Sequence, residues 1–266
     1  MRPLGKPACT KAVMIAAGCG SRVRSITADR PKCLMDLGGR PIAGWILSAL
    51  EQAGIREVVV ITGFRAGAIK QALGRRCGGV KLAYVNNPRW RLANGLSVYA
   101  ARRAVGGNES FLLVMSDHLL PPAAIVKAAR SRTSRCVLAV DTDIGRVFDL
   151  ADATKVRVEG GKPVAINKRL RKYNAVDCGL FRFDKRIFTA LEASFAEGVM
   201  SLTGGVKQLV KAGDLEVIPI GKGNVWLDVD TPRAYREALR RLEALKAAWG
   251  LKDKAGRRGR DACAQG

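Results

Sequence analysis

The stretch Ala12-Val13-Met14-Ile15-Ala16-Ala17-Gly18-Cys19-Gly20-Ser21-Arg22 decides the fold: an apolar run breaks into a glycine-rich turn that ends in a cation. Six apolar residues without polar alternation predict a strand buried on both faces, as in a sheet covered by helices on each side. Similar runs recur as VVVIT at 58–62, VKLAYV at 80–85 and FLLVMS at 111–116, with helical patterns between them, which predicts a parallel sheet. Further strands are expected in RCVLAVD (135–141), TKVRVE (154–159), VDCGLFRF (176–183) and LEVIPI (215–220), and Gly160-Gly161 marks a hairpin. The sheet is therefore expected to be mixed. Helices are predicted over 42–53, 66–73 and 94–105, each followed by a stop glycine, Gly54, Gly74 or Gly106. A last helix over 232–249 aligns Tyr235, Ala238, Leu239, Leu242, Leu245 and Trp249 on one stripe, a core-packing face.

The 266 residues are 48% apolar, enough for one large core, so a single domain is expected over residues 1–250. Residues 251–266 lose apolar periodicity and carry Lys252, Lys254, Arg257, Arg258 and Arg260, which predicts a disordered basic tail. No apolar run reaches the roughly 18 residues of a membrane helix, and the N-terminal MRPLGKPACTK lacks a signal-peptide core. A cytoplasmic protein is expected. The seven cysteines lie at least ten positions apart, a spacing that suits neither zinc nor a redox pair, and they read as reduced, mostly buried thiols. His118 is the only histidine, so zinc-protease helices are excluded. The formal charge of +23 attracts polyanions: nucleotide, membrane or nucleic acid. No cluster interleaves aromatics with cations, which argues against nucleic acid. Peripheral association with a membrane through the basic surface stays open, as does a homodimer.

Chemistry concentrates in 16–32. Gly18 and Gly20 let backbone N–H groups turn toward an anion, and Arg22 and Lys32 add full charges, so Ala16, Ala17, Gly18, Cys19, Gly20, Ser21, Arg22 and Lys32 form a candidate phosphate grip. A Walker loop needs four residues between its glycines, and a dinucleotide fingerprint needs glycine where Val23 sits; neither fits. A plain strand-to-helix turn would leave both cations unexplained. Asp117 follows an apolar strand at the edge where open α/β sheets bind ligands, and Pro121-Pro122 puts the next helix too far away for it to cap. In NVWLDVDTP (224–232), Asp228 and Asp230 alternate onto one side of an extended stretch, while Thr231 before Pro232 is the natural helix cap. Asp117, Asp228 and Asp230 are thus candidate ligands for Mg²⁺, a hard cation that takes carboxylate oxygens. In NNPRWRLANGLS (86–97), Asn94, Gly95 and Ser97 offer groups suited to a base or ribose edge, with helix capping by Asn94 as the alternative.

Together, AAGCGSR followed by Pro31-Lys32, the SDH of 116–118 and the late WLDVDT of 226–231 resemble the sugar-nucleotidyltransferase superfamily from Lys11 to about Leu245. That resemblance implies a Rossmann-like three-layer α/β/α nucleotidyltransferase fold around a mixed, mostly parallel sheet, with Lys32, Arg22 and Asp117 as catalytic residues. Within it, DLADATKVRVEGG (149–161) and INKRLRKYNAVDCGLF (166–181) look like the inositol-1-phosphate cytidylyltransferase domain, which many relatives carry fused to a membrane-embedded phosphatidyltransferase. The match implies transfer of CMP from CTP to inositol 1-phosphate, with Lys168 holding the acceptor phosphate, Asp177 meeting acceptor hydroxyls, and a separate membrane phosphatidyltransferase using the product. LTGGVKQLVKAG (202–213) departs from the family pattern, which leaves phosphocholine or a sugar 1-phosphate as alternative acceptors. A degenerate nucleotide sensor without turnover is a further alternative.

Overall fold

A computed structural model describes residues 9–27, 29–106 and 109–250; the expected basic tail, 251–266, and Cys263 lie outside the described residues. The strands are β1 (Lys11–Ala16), β2 (Glu57–Thr62), β3 (Arg76–Cys77), β4 (Val80–Asn86), β5 (Phe111–Met115), β6 (His118–Leu119), β7 (Cys136–Asp141), β8 (Lys155–Glu159), β9 (Lys162–Asn167), β10 (Ala175–Phe183), β11 (Leu215–Pro219) and β12 (Leu227–Asp228). The helices are α1 (Arg24–Thr27), α2 (Ile42–Gln52), α3 (Ala66–Leu73), α4 (Gly95–Ala100), α5 (Pro122–Ala129), α6 (Arg186–Ala196), α7 (Leu202–Lys211) and α8 (Pro232–Trp249).

The main sheet has the order β11-β7-β10-β5-β1-β2-β4-β3. The β1–β2, β1–β5, β2–β4 and β7–β11 pairs are parallel, and β10 alone among the central strands opposes its neighbours β5 and β7. The result is a mixed, mostly parallel sheet. Its strands alternate between two cores: Ala12, Met14 and Ala16 of β1 join α2, α3, α5 and α8 on one face, whereas Val13 joins α4, α6 and α7 on the other. Period-2 packing on both faces is why the strands read as unbroken apolar runs. The expected hairpin at Gly160-Gly161 is β8–β9, and it hangs from β10 through β8.

Two expectations need correction. Helix α4 stops at Ala100, and a 3-10 turn over Ala101–Arg103 completes the segment predicted as a helix over 94–105; last turns commonly tighten in this way. On α8, Leu239 is 40% exposed, because Ala234, Ala238, Leu242, Leu245 and Trp249 centre the buried stripe and Leu239 lies one residue, about 100°, round from Ala238. Among the described cysteines, only Cys19 is exposed, and the other five are buried.

Two features of the fold position the site. The short β6–β12 pair sets Asp228 opposite His118, with Val229 N–H donating to Asp117 O at 2.9 Å, so segments more than a hundred residues apart meet at the C-terminal edge of β5. In β10 the register shifts between Asp177 and Phe181, and Gly179, at φ +70°, lies in that irregularity.

Candidate active site

Beyond the C-terminal ends of β1 and β5, two clefts adjoin. The larger, about 560 Å³, lies over the glycine-rich turn and is lined by Ala16, Gly18, Cys19, Gly20, Ser21 and Lys32, among others. The smaller, about 230 Å³, is lined by Lys168, Asp177, His118 and Trp226, among others. Arg22, Asn94, Met115, Asp117 and Asp230 line both.

In the larger cleft, Gly20 turns at φ +63°, and a Cβ there would come within 2.9 Å of Lys32 Cβ, so glycine permits both the turn and the approach of the lysine. A Cβ on Gly18 would meet no protein atom within 4 Å, leaving the space above that backbone open. Ala17 does not line the cleft; it is buried, and its carbonyl accepts Phe64 N–H at 2.9 Å. Gly95 does not line it either, because a Cβ there would strike Met200 O at 2.5 Å: this glycine lets α4 pack against the segment before α7. The Asn94 side chain makes no capping hydrogen bond to α4, and its Oδ1 instead accepts Leu202 N–H at 2.9 Å. Ser97 lines the cleft, with its Oγ accepting from Asn87 Nδ2 at 2.9 Å.

Opposite charges converge at the junction. Lys32 Nζ pairs with Asp117 Oδ2, and His118 Nδ1 lies 2.8 Å from Asp117 Oδ1. Burial alone would raise the Asp117 pKa, but the Lys32 charge and the His118 hydrogen bond outweigh it and hold the carboxyl well below the usual range. Burial works against the Lys32 ammonium too, yet Asp117 and Asp228 raise its pKa. The same contest pushes His118 up to about 9: burial lowers its pKa, and Asp228 with the Asp117 hydrogen bond raises it further. Its ring stacks on Trp226 with centroids 5.8 Å apart, and Trp226 Nε1 donates to Asp141 at 3.0 Å. Asp228 is raised to about 6, chiefly by burial and further by Asp117 and Asp230, against His118 and Lys32.

Carboxylates suited to a divalent cation are present. Asp117, His118 and Asp228 form one cluster whose ligand atoms lie within 4.8 Å of one another, and Asp152, Asp228 and Asp230 form a second. Asp228 belongs to both, and its Oδ1 is buried without a hydrogen bond, with His118 Nδ1 at the ion-pair distance of 3.7 Å, so it keeps lone pairs that a divalent cation could take. Both Asp117 oxygens already have partners, and Asp230 Oδ2 meets the Arg22 guanidinium as an ion pair without hydrogen-bond geometry. Thr231, as expected, caps α8, its hydroxyl accepting Ala234 N–H at 3.1 Å and leaving both neighbouring aspartates free for the site.

In the smaller cleft, Lys168 Nζ donates to Asp152 Oδ1 at 2.8 Å. Asp177 Oδ1 accepts Gly179 N–H at 2.7 Å, but burial still raises its pKa to about 6. Sequence reasoning missed Asp152, His118, Trp226 and the Trp90-Arg91-Leu92 wall of the larger cleft. Trp90 stands in a polar, proline-containing loop and Trp226 directly before the LDVD motif; a large aromatic in such a place was the available signal. Asp152 gave none.

Residues 11–244 match the family described as Nucleotidyl transferase. The "Bifunctional IPC transferase and DIPP synthase" of Aquifex aeolicus is 30% identical over 232 residues, covering 87% of this chain and 51% of that protein. The chain thus spans about half the length of such relatives. The N-acetylmuramate alpha-1-phosphate uridylyltransferase of Neisseria meningitidis is 30% identical over 251 residues, covering 90% of this chain and 99% of that one. The structure of the inositol-1-phosphate CTP transferase from T. maritima is similar with a TM-score of 0.79 at 26% identity, covering 91% of this chain and 98% of that one. Because the family match runs from β1 into α8 and so takes in both clefts, the chain belongs to the nucleotidyl transferase family.

Proposed function

We propose that this chain transfers CMP from CTP to inositol 1-phosphate, giving CDP-inositol and pyrophosphate. The observation that carries the reading is the pair of adjoining clefts sharing Arg22, Asp117 and Asp230, one over a glycine-rich turn and the other beside Lys168. The relatives' names support cytidylyl transfer and an inositol phosphate acceptor.

In this reading CTP lies in the larger cleft with its phosphates over Gly18 to Ser21, and the acceptor phosphate lies beside Lys168. An acceptor phosphate oxygen attacks the α-phosphorus, the bond from that phosphorus to the bridging oxygen breaks, and pyrophosphate leaves in line. The attacking oxygen is already anionic near neutral pH, so no side chain needs to remove a proton. Alignment and charge neutralisation remain as the protein's work. Lys32 and Arg22 face the transferring and leaving phosphates, and Asp177 meets acceptor hydroxyls. Asp117 with Asp228 or Asp230 are the proposed Mg²⁺ ligands: Asp228 Oδ1 makes no hydrogen bond and meets the His118 ring at 3.7 Å, and Asp230 Oδ2 pairs with Arg22. Bound there, the ion would offset the negative charge of the reacting phosphates. The product is proposed to pass to a membrane phosphatidyltransferase, with the basic surface favouring encounters at an anionic bilayer.

The uridylyltransferase relative, covered over 99% of its length, favours one second reading, a UTP-dependent enzyme for a sugar 1-phosphate. Incubating the chain with CTP, UTP, GTP or ATP and a panel of phosphorylated acceptors, with pyrophosphate release as the signal, separates the two. CTP with inositol 1-phosphate is expected to exceed every other pair by at least about tenfold. Preference for UTP with a sugar 1-phosphate would replace the first reading by the second.

A further inference from the structure

Asp152 lies between the two substrate-facing cations. Its Oδ2 accepts from Arg22 Nη1 at 2.6 Å and its Oδ1 from Lys168 Nζ at 2.8 Å. Arg22 stands on the turn after β1 and lines both clefts; Lys168 stands just after β9 and lines the smaller. The two cations belong to segments separated by more than a hundred residues, and one carboxylate links them. Without it, two positive groups this close would repel each other, and Lys168, on a long, flexible stem, would swing away from Arg22, which Asp230 also holds.

We infer that Asp152 is a positioning residue: it fixes the spacing between the donor-side cation Arg22 and the acceptor-side cation Lys168 before either substrate arrives. This rests on the proposed function, which gives those cations their phosphates. Arg22 has five N–H donors and Lys168 three, so each can keep its bond to Asp152 and still reach a phosphate. The competing role, metal ligation with Asp228 and Asp230, fits less well. Both Asp152 oxygens already accept hydrogen bonds from cations, whereas Asp228 Oδ1 accepts none. A spacing carboxylate serves alignment, the part of the barrier most sensitive to small displacements. It also competes with the phosphates for both cations, so it should not strengthen the binding of either substrate alone.

The test is Asp152→Asn, with Asp152→Glu as the charge-retaining control, run with the nucleotide and acceptor that the wild-type chain turns over best. Three readouts are needed: kcat, the calorimetric Kd of that nucleotide and of that acceptor each alone, and the Mg²⁺ concentration for half-maximal rate. Asp152→Asn is expected to lower kcat about tenfold or more. Each Kd should stay level or tighten by up to about threefold, the scale of an exposed ion pair released to the ligand. The Mg²⁺ requirement should not move, and Asp152→Glu should recover part of the rate. Unchanged kcat, weakening of both substrates, or a several-fold higher Mg²⁺ requirement would each overturn the inference, the last by making Asp152 a metal ligand. If wild-type chain binds CTP but releases no pyrophosphate with any acceptor, the transferase reading fails. The bridge is then judged on binding, where weaker CTP affinity in Asp152→Asn overturns it.

Discussion

Replacing Asp177 by Asn should make the protein more stable and a poorer enzyme. The carboxyl sits in the irregular part of β10 with its Oδ1 on Gly179 N–H, and burial raises its pKa from 3.8 to about 6. A group with a raised folded-state carboxylate pKa binds its proton more tightly folded than unfolded. Below about pH 4 both states are largely protonated and the group costs nothing. Between about pH 4 and 6 the unfolded chain ionises first and stability falls; above about pH 6 the full penalty stands. A rise of this size corresponds to about 3 kcal/mol, and solvent reaching the partly exposed side chain screens some of it, leaving ~1–3 kcal/mol. Asn keeps an oxygen for Gly179 N–H and carries no charge. Without metal or substrate, Asp177→Asn should therefore melt several degrees higher at pH 7.5, at roughly 2–4 °C per kcal/mol. The gain should shrink at pH 4.5 to about a third of its value at pH 7.5. Calorimetric melting of both proteins across that range checks it, and under the proposed function the variant should also show a raised KM for the acceptor. A variant equally stable or less stable at pH 7.5, or a difference that does not vary with pH, would refute burial of an ionised Asp177 as the source of the cost.

Two other substitutions probe the junction. Lys32→Ala and Asp117→Ala should each lower kcat by at least about 10²-fold in pyrophosphate-release assays, with circular dichroism confirming that the fold survives; near-normal turnover in either would remove that residue from the mechanism. Gly179→Ala should be destabilised by ~1–3 kcal/mol in denaturant unfolding, because a Cβ at φ +70° would lie 2.5 Å from His118 Cδ2. Since His118 is the only histidine, one imidazole resonance reports whether its ring is displaced from the Trp226 stack; an unmoved resonance would show that the β10 backbone yields instead.

The fold was largely legible because its strongest signals are local. Val13 and Met14 face opposite cores, so the continuous apolar run required a sheet covered on both sides, and Gly54 and Gly74 stop helices where backbone geometry needs them. Where packing rather than local pattern decides, the reading slipped. Leu239 fits a helical stripe on paper, but the stripe's width depends on what covers it, and α8 leaves that edge exposed.

The site was legible as separate pieces, and the structure supplies the reason they act together. Lys32, Asp117 and Asp228 each stand beside a recognisable turn or strand end, so residue type and position sufficed to single them out. No spacing in the chain reveals that β6 and β12 pair and set Asp228 beside His118. Nor does DLADATKV distinguish Asp152 from Asp149, since both sit in the same polar segment before a strand. What separates them is a contact: only Asp152 bonds both Arg22 and Lys168. Gly95 errs in the other direction. A glycine at the start of a helix beside a cleft has the appearance of a ligand-facing backbone, yet Met200 O fills the space its side chain would need. Local sequence therefore identifies groups capable of the chemistry, and long-range contacts decide which of them face substrate and which hold the walls together.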